Sequence, residues 1–401
     1  RAGRCPQTIM NYAYALRLLQ APYINMEPNP FRRKLLIADE GHLAEDAVVE
    51  ATSISLWQTV CNEAGLPSWP ESRDPYMWIA WATDSQPRAK DWYTAAQEAL
   101  EIVYDIGASL QSAFRRERRA RRLYETIVDL RRLDPTDWAV SPGIRETKLR
   151  PLWAWSVVND RLWRYFDRVI IMSATLGNPK TLLTKLAIPS DQAKYIDVLS
   201  TFPLENRPVF YFPVIKVNRH TDDEEWGTVA SAILHISNMP RLRDENAIIH
   251  TGSYKVVEAL RPYLQCDPRF VFQENGKQKD GLIRQLKSGR SGPTIVVSPS
   301  LGTGVDIRNL RWQVIVKVPF GDLGDPITRL RRGYAREDNQ QFGRCNYDEE
   351  AMNRVVQAAG RAVRAPDDWG VTYILDANFW GLYKRTHSPT FFREAVRWIK
   401  I

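Results

Sequence analysis

The sequence contains no GxxxxGK(S/T) and no CxxC, and no apolar run approaches the roughly 18–20 residues that cross a membrane. The first absence removes the glycine-rich phosphate loop and its lysine, so the chain by itself is expected not to turn over a nucleoside triphosphate. The second, with Cys5, Cys61, Cys266 and Cys345 far apart, supports neither a zinc site nor a disulfide framework and fits thiols in a reducing cytosol. Within these 401 residues no signal-peptide pattern is read, and no fixed-period repeat or low-complexity tract is expected. The chain begins at Arg1 rather than Met, which leads us to expect a truncated or processed product with the phosphate loop upstream. What is there is 401 residues of 46.2 kDa, long enough for two or three domains. A net charge of +8 and a pI near 9.2 favour a polyanionic partner.

One segment stands out. Leu35-Leu36-Ile37-Ala38-Asp39-Glu40-Gly41-His42 runs from apolar residues into two adjacent carboxylates and a histidine. It reads as a buried parallel strand whose end meets Mg²⁺ and an attacking water. Met172-Ser173-Ala174-Thr175-Leu176 follows a second apolar strand, Arg168–Met172, and Gln357-Ala358-Ala359-Gly360-Arg361-Ala362-Val363-Arg364 comes near the end. In that order the three segments resemble motifs II, III and VI of a superfamily 2 helicase. Phosphoryl transfer to water needs a metal, a group that positions the water, and cations on the transferring phosphate. Asp39 would hold Mg²⁺ through water, Glu40 would activate the attacking water, and His42 would couple rather than ligate. On a continuous helix Gln357, Arg361 and Arg364 would share one face, presenting guanidinium forks to a γ-phosphate, while Gly360 allows close approach.

Between these segments the character changes twice. Residues 1–48 read as the tail of an α/β domain, with Thr8–Gln20 passing from strand to helix and Asn25–Arg33 as a link. From about Ala47 to Pro151, Trp92–Gln111 and Ser112–Leu133 carry helical periodicity with no convincing run of strands. Beyond the Pro203–Pro208 linker, strands are expected at Pro208–Phe212, Ala247–His250, Thr294–Val297, Gln313–Lys317 and Val371–Leu375. Helices at Thr228–Ser237 and Lys255–Leu264 intervene, which favours a parallel sheet covered by helices. Ser298–Asp306 reads as a glycine-rich turn with a carboxylate and resembles a motif V loop lying between nucleotide and DNA, which would put Gly304 and Asp306 near nucleotide. Thr251, Ser253 and Tyr254, at a strand end, would offer hydroxyls and backbone N–H groups to a phosphate chain.

Taken with Asn11-Tyr12, Leu149–Leu152, Val318-Pro319-Phe320 and Asp325-Pro326, these segments resemble the XPD/DinG family of DNA helicases, especially shorter phage-type DinG-like members. The resemblance implies an α/β fold of two RecA-like P-loop NTPase domains with parallel sheets, plus a mostly helical arch-like insertion in the first. The expected division is 1–48 and 151–202 for the first domain, 49–150 for the insertion and 203–401 for the second. It also implies ATP and Mg²⁺ as cofactors, ATP bound between the two domains, Ser173, Ala174 and Thr175 as coupling residues, and Asn11 and Tyr12 among DNA contacts. The implied activity is ATP-driven 5′→3′ movement on single-stranded DNA with strand separation at forks, by a monomer in the cytoplasm, or in a host cytoplasm if phage-encoded. The sequence departs from the family at Gly41, at Thr303 and in the phosphate loop. Four cysteines around a [4Fe-4S] cluster could lie only upstream, since Cys5 alone precedes motif II.

Phe114–Arg132 holds eight arginines against three acids, and Arg115, Arg118, Arg119 and Arg122 form one helical stripe able to track a phosphate backbone. Nine of the fourteen tryptophans fall between Trp57 and Trp163, most of them expected to pack rather than stack on bases. Two other classes compete. A helicase-derived DNA- or partner-binding module without ATPase activity fits the missing loop, but not the retention of Asp39, Glu40, Arg361 and Arg364. A metal-dependent nuclease would need further clustered carboxylates.

Overall fold

The computed structural model describes residues 7–19, 32–105, 110–288, 292–302, 310–335 and 341–399. The chain divides into two compact units, Arg1–Ile171 with Leu183–Pro189, and Met172–Leu182 with Ser190–Ile401. Among the described residues no helix is long and apolar enough to cross a membrane.

The first unit opens with helix Tyr12–Leu19, whose N-terminus is capped by Asn11 Oδ1 accepting the Tyr14 N–H at 2.8 Å. Five strands follow: β1 (Arg33–Ala38), β2 (Ile54–Trp57), β3 (Trp138–Ser141), β4 (Glu146–Pro151) and β5 (Phe166–Ile171). β1 and β5 pair in parallel, Leu36 opposite Val169. The expectation of a buried strand is corrected, since Leu35, Ile37 and Ile170 are 46%, 58% and 49% exposed. Parallel sheets are normally covered on both faces, and among the described residues this one has two strands and one uncovered face.

β2, β4 and β3 form an antiparallel sheet inside the segment expected to be mostly helical. Its strands are four to six residues long, too short to register against the charged helices around them. Those helices are Pro75–Asp105 and Leu110–Leu130, the first beginning well before the expected Trp92. Trp78, Trp81, Leu123, Ile127, Leu130, Trp138 and Leu149 form the shared core. The tryptophans pack edge to face at 5.8 Å, as in Trp69–Trp78 and Trp78–Trp81, so most of this group is core, as expected.

The second unit is built on β6 (Val209–Ile215), β7 (Asn246–His250), β8 (Phe270–Phe272), β9 (Ile295–Ser298), β10 (Leu310–Ile315), β11 (Val371–Asp376) and β12 (Val396–Trp398). All pair in parallel in the order β12-β6-β11-β10-β7-β9-β8. The central strands are buried on both faces and read as near-continuous apolar runs, so their positions could be anticipated. The edge strands β8 and β12, three residues each, could not. Helix Asp223–Ser237 starts earlier than expected because Asp222 and Glu225 form a reciprocal capping box. A mixed α/β unit of this kind brings the carboxyl ends of its strands to one edge, where such folds bind ligands.

Candidate active-site residues

β1 delivers its last residue, Ala38, buried, and the chain then turns through Asp39 and Glu40, both exposed. Glu40 adopts φ 49°, ψ 45°, a left-handed conformation that costs a side-chain-bearing residue about 1–2 kcal/mol. The turn is held from several directions. Asp39 Oδ1 accepts the Glu40 N–H at 2.9 Å, Glu40 O accepts the Leu43 N–H at 2.8 Å, and Tyr12 OH donates to Asp39 O at 2.9 Å. His42 Nδ1 lies 3.4 Å from Glu40 Oε2, and burial lowers its pKa against the pull of Glu40 and Asp46. Burial, then the charges of Asp39 and Glu40, raise the Tyr12 pKa. Asn11 and Tyr12 therefore serve the helix cap and the acidic turn in this unit. Asp39 suits Mg²⁺, which commonly takes one or two carboxylates with substrate phosphates and its own water. Among the described residues no group of three or more His, Cys, Asp or Glu could hold a metal.

In the second unit the Ser173–Gly177 segment packs on helix Phe342–Ala359. Ser173 Oγ accepts the Thr175 N–H at 3.1 Å, and Gln357 Nε2 donates to the buried Thr175 Oγ1 at 3.1 Å. Gly177, at φ +73°, approaches so closely that a Cβ would sit 2.9 Å from Asn353 Nδ2. Ala174 is exposed. The structure corrects the single-face arrangement of Gln357, Arg361 and Arg364. The helix stops at Ala359 with Gly360 as its C-cap; Arg361 lies in the turn beyond and Arg364 in the irregular segment after it. Arg361 Nε donates to Gly302 O at 3.2 Å. Arg364 is exposed, and its backbone N–H donates to Asp368 Oδ2 at 3.1 Å. Gly304 and Asp306 lie outside the described residues.

The strand ends carry a polar ledge that sequence reading found only in part. Thr251 is fully buried and donates to Ser253 O at 3.2 Å, which leaves Ser253 and the 40%-exposed Tyr254 as the outward groups. Gln273, at the end of β8, accepts from Ser298 Oγ at 2.5 Å and Ser300 Oγ at 2.9 Å. Asp376, at the end of β11, accepts the Val318 N–H at 2.9 Å, the Val217 N–H at 3.3 Å and both nitrogens of Asn378 at 3.0 and 2.8 Å. Burial nevertheless holds its carboxyl above the usual carboxylate range. A lone polar residue closing an apolar run was the available signal for Gln273, Ser298 and Asp376.

His250 ends β7 and is buried. Burial first, then the Arg361 charge, lower its pKa to about 4 against the opposing pull of its Gln313 hydrogen bond. Its neighbours are Gln313, Gly302 and Arg361. In the unfolded chain the ring titrates near the ordinary 6.5. The stability due to the neutral buried ring is therefore complete above about pH 6.5 and falls away toward pH 4, by roughly 3 kcal/mol. Denaturant titrations of wild type and His250→Phe at intervals between pH 7 and 4 should show the wild type losing stability faster by that order. Parallel profiles would mean that the folded ring titrates normally.

On helix Leu110–Leu130, Ala120, Leu123, Ile127 and Leu130 are buried, while Arg115, Arg118 and Arg122 are exposed. Arg119 pairs with Glu63 at 3.1 Å.

Residues 236–391 match the helicase C-terminal domain family. A regulator of telomere elongation helicase 1 homologue from Drosophila ananassae is 25% identical over 53% of this chain and 24% of its own length. The ATP-dependent DNA helicase DinG of Photobacterium profundum is 23% identical over 74% of this chain and 48% of its own. The chain thus spans between about a quarter and a half of these curated relatives. Among solved structures, an XPD apo form superposes with a TM-score of 0.55 at 14% identity, and S. tokodaii Xpd4 with 0.55 at 12%. Each alignment covers 97% of this chain and 81% of the other, a likeness of fold.

Proposed function

We propose that this chain, an XPD/DinG-like member of superfamily 2, forms the motor of an ATP-dependent helicase that moves 5′→3′ on single-stranded DNA and separates strands at forks. In this reading it acts as a cytoplasmic monomer. The observation that carries the proposal is the Gln357–Thr175 hydrogen bond, which joins the Ser-Ala-Thr segment to the helix leading into Arg361 and Arg364. A change sensed by the arginines thereby has a direct route to Ser173–Thr175. Asp39 would hold Mg²⁺ through water and Glu40 would orient the nucleophile. Arg361 and Arg364 would neutralise charge on the transferring phosphoryl group, as guanidinium forks do. The left-handed Glu40 is what an over-determined functional turn looks like, because strain persists where surrounding bonds enforce it.

The competing reading, a nucleic-acid-binding module without ATPase activity, is favoured by the absence of GxxxxGK(S/T) from this sequence. One experiment addresses both. Residues 1–401 alone should bind oligo-dT with affinity falling steeply as salt rises, and should not hydrolyse ATP. A form that also supplies a phosphate loop should hydrolyse ATP with strong stimulation by single-stranded DNA. Robust hydrolysis by residues 1–401 alone would mean that the phosphate loop has been misplaced, and no hydrolysis by either form would leave the binding module. Replacing Arg115, Arg118 and Arg122 together with Ala should flatten the slope of log K against log salt by about 2, at about 0.7 per phosphate contact. An unchanged slope would make that helix face a merely solvated one.

A further inference from the structure

Two buried polar side chains lie outside every motif used above. Gln313 sits on β10, in the middle of the seven-stranded sheet, with no exposed surface. Its Nε2 donates to Ala359 O at 2.9 Å and to Thr372 Oγ1 at 2.8 Å, so its Oε1 is left to face His250 Nε2 at 3.1 Å. Both amide protons being used, Oε1 must accept, and His250 carries its hydrogen on Nε2. Gln313 pairs with Thr372 of β11 and with Ile248 of β7, two residues before His250. Thr372, Gln313 and His250 therefore share one sheet face, the face on which helix Phe342–Ala359 packs through Met352, Val355 and Val356.

The position of these bonds matters more than their number. Ala359 is the last residue of that helix, and its carbonyl is one of those that a helix end leaves without an internal partner. Gln313 holds that carbonyl at the point where the chain leaves the helix toward Arg361. The acceptor for Arg361 Nε is Gly302 O, and a Cβ at Gly302 would lie 3.8 Å from His250 Nδ1, so the imidazole packs against that glycine. One end of the Arg361–Gly302 bond is thus anchored through Gln313 and the other is buttressed by His250. An apolar pair would fill this volume without the cost of burying polar atoms.

We infer that the buried His250–Gln313 pair is the positioning element for Arg361, fixing both the turn that carries its guanidinium and the carbonyl that aims it. Its consequence for catalysis rests on the helicase reading above; the positioning itself does not.

The test uses the 401-residue chain with ¹⁵N-labelled arginine, reading hydrogen exchange at Arg361 Nε–H, the signal identified by its loss in Arg361→Lys. In wild type that proton should be protected, and exchange at the rate of a free guanidinium would overturn the proposal before any variant is made. In His250→Phe/Gln313→Leu, which replaces both partners by apolar groups, exchange should quicken by at least about tenfold, the weight of one buried hydrogen bond. Thr372→Val, which removes the other arm of Gln313, should leave it unchanged. Unaltered protection in the folded double variant would overturn the proposal. In an ATP-hydrolysing form the double variant should lower kcat with KM for ATP unchanged, and should add nothing to Arg361→Ala. A further loss in the Arg361→Ala background would also overturn it. Faster exchange with unchanged kcat would uphold the positioning and instead remove Arg361 from the phosphate.

Discussion

Replacing Arg364 with Ala in an ATP-hydrolysing form of the protein should lower turnover by roughly 10²–10⁵-fold, the span from a lost electrostatic donor to a lost arginine finger. The fold should survive. Arg364 is exposed and lies past the end of helix Phe342–Ala359, and the turn around it is braced by its backbone bond to Asp368, which in turn pairs with Arg311. None of these braces uses the Arg364 guanidinium. Lysine should not restore the rate, because it keeps the charge and loses the planar fork. Steady-state ATPase assays beside thermal melts separate the outcomes. A variant that melts early marks a structural arginine, and one that keeps turnover while losing DNA affinity marks a DNA-facing one. Either result would take Arg364 out of the proposed phosphate site.

Glu40→Gln should lower hydrolysis by at least ~10²-fold while ATP still binds, the usual contribution of a base or water-positioning group. The substitution keeps side-chain volume and leaves untouched the main-chain bonds that hold the turn, Glu40 N–H to Asp39 Oδ1 and Leu43 N–H to Glu40 O. The left-handed backbone should therefore persist, and the loss should appear in kcat. ATP-analogue titration with single-turnover hydrolysis measures the two parts separately. A near-normal rate would assign the activation of water to another group and leave Glu40 as a residue of the turn and a partner of His42.

These two residues also mark where sequence reading succeeds and where it stops. The acidic turn was legible because its signal is local: an apolar run, then two carboxylates, with the strand break between Ala38 and Asp39. The same reasoning anticipated β6, β7, β9, β10 and β11, since each is an apolar run, most plainly β7, β9 and β11, which are buried on both faces. The arginines behave differently. Gln357–Arg364 consists largely of good helix formers, and local propensity extends the helix through Arg361. The helix ends at Ala359 because Gly360 weakens its continuation and Gln313, from a strand over forty residues earlier, takes the terminal carbonyl.

Other features depend on pairings that no local pattern encodes. Ile54 meets Leu149 across an antiparallel sheet, Tyr12 reaches the Asp39 carbonyl, and Gln357 reaches Thr175. The sequence by itself determined the parallel α/β core, the acidic turn and the resemblance, because periodicity and motif spacing are properties of neighbouring residues. Only the tertiary structure decided where the motif helix ends, which hydroxyls of the strand-end ledge are buried, and that His250 and Gln313 bracket Arg361. Each of those is settled by how a buried polar group finds its partner, and the partner lies on another element.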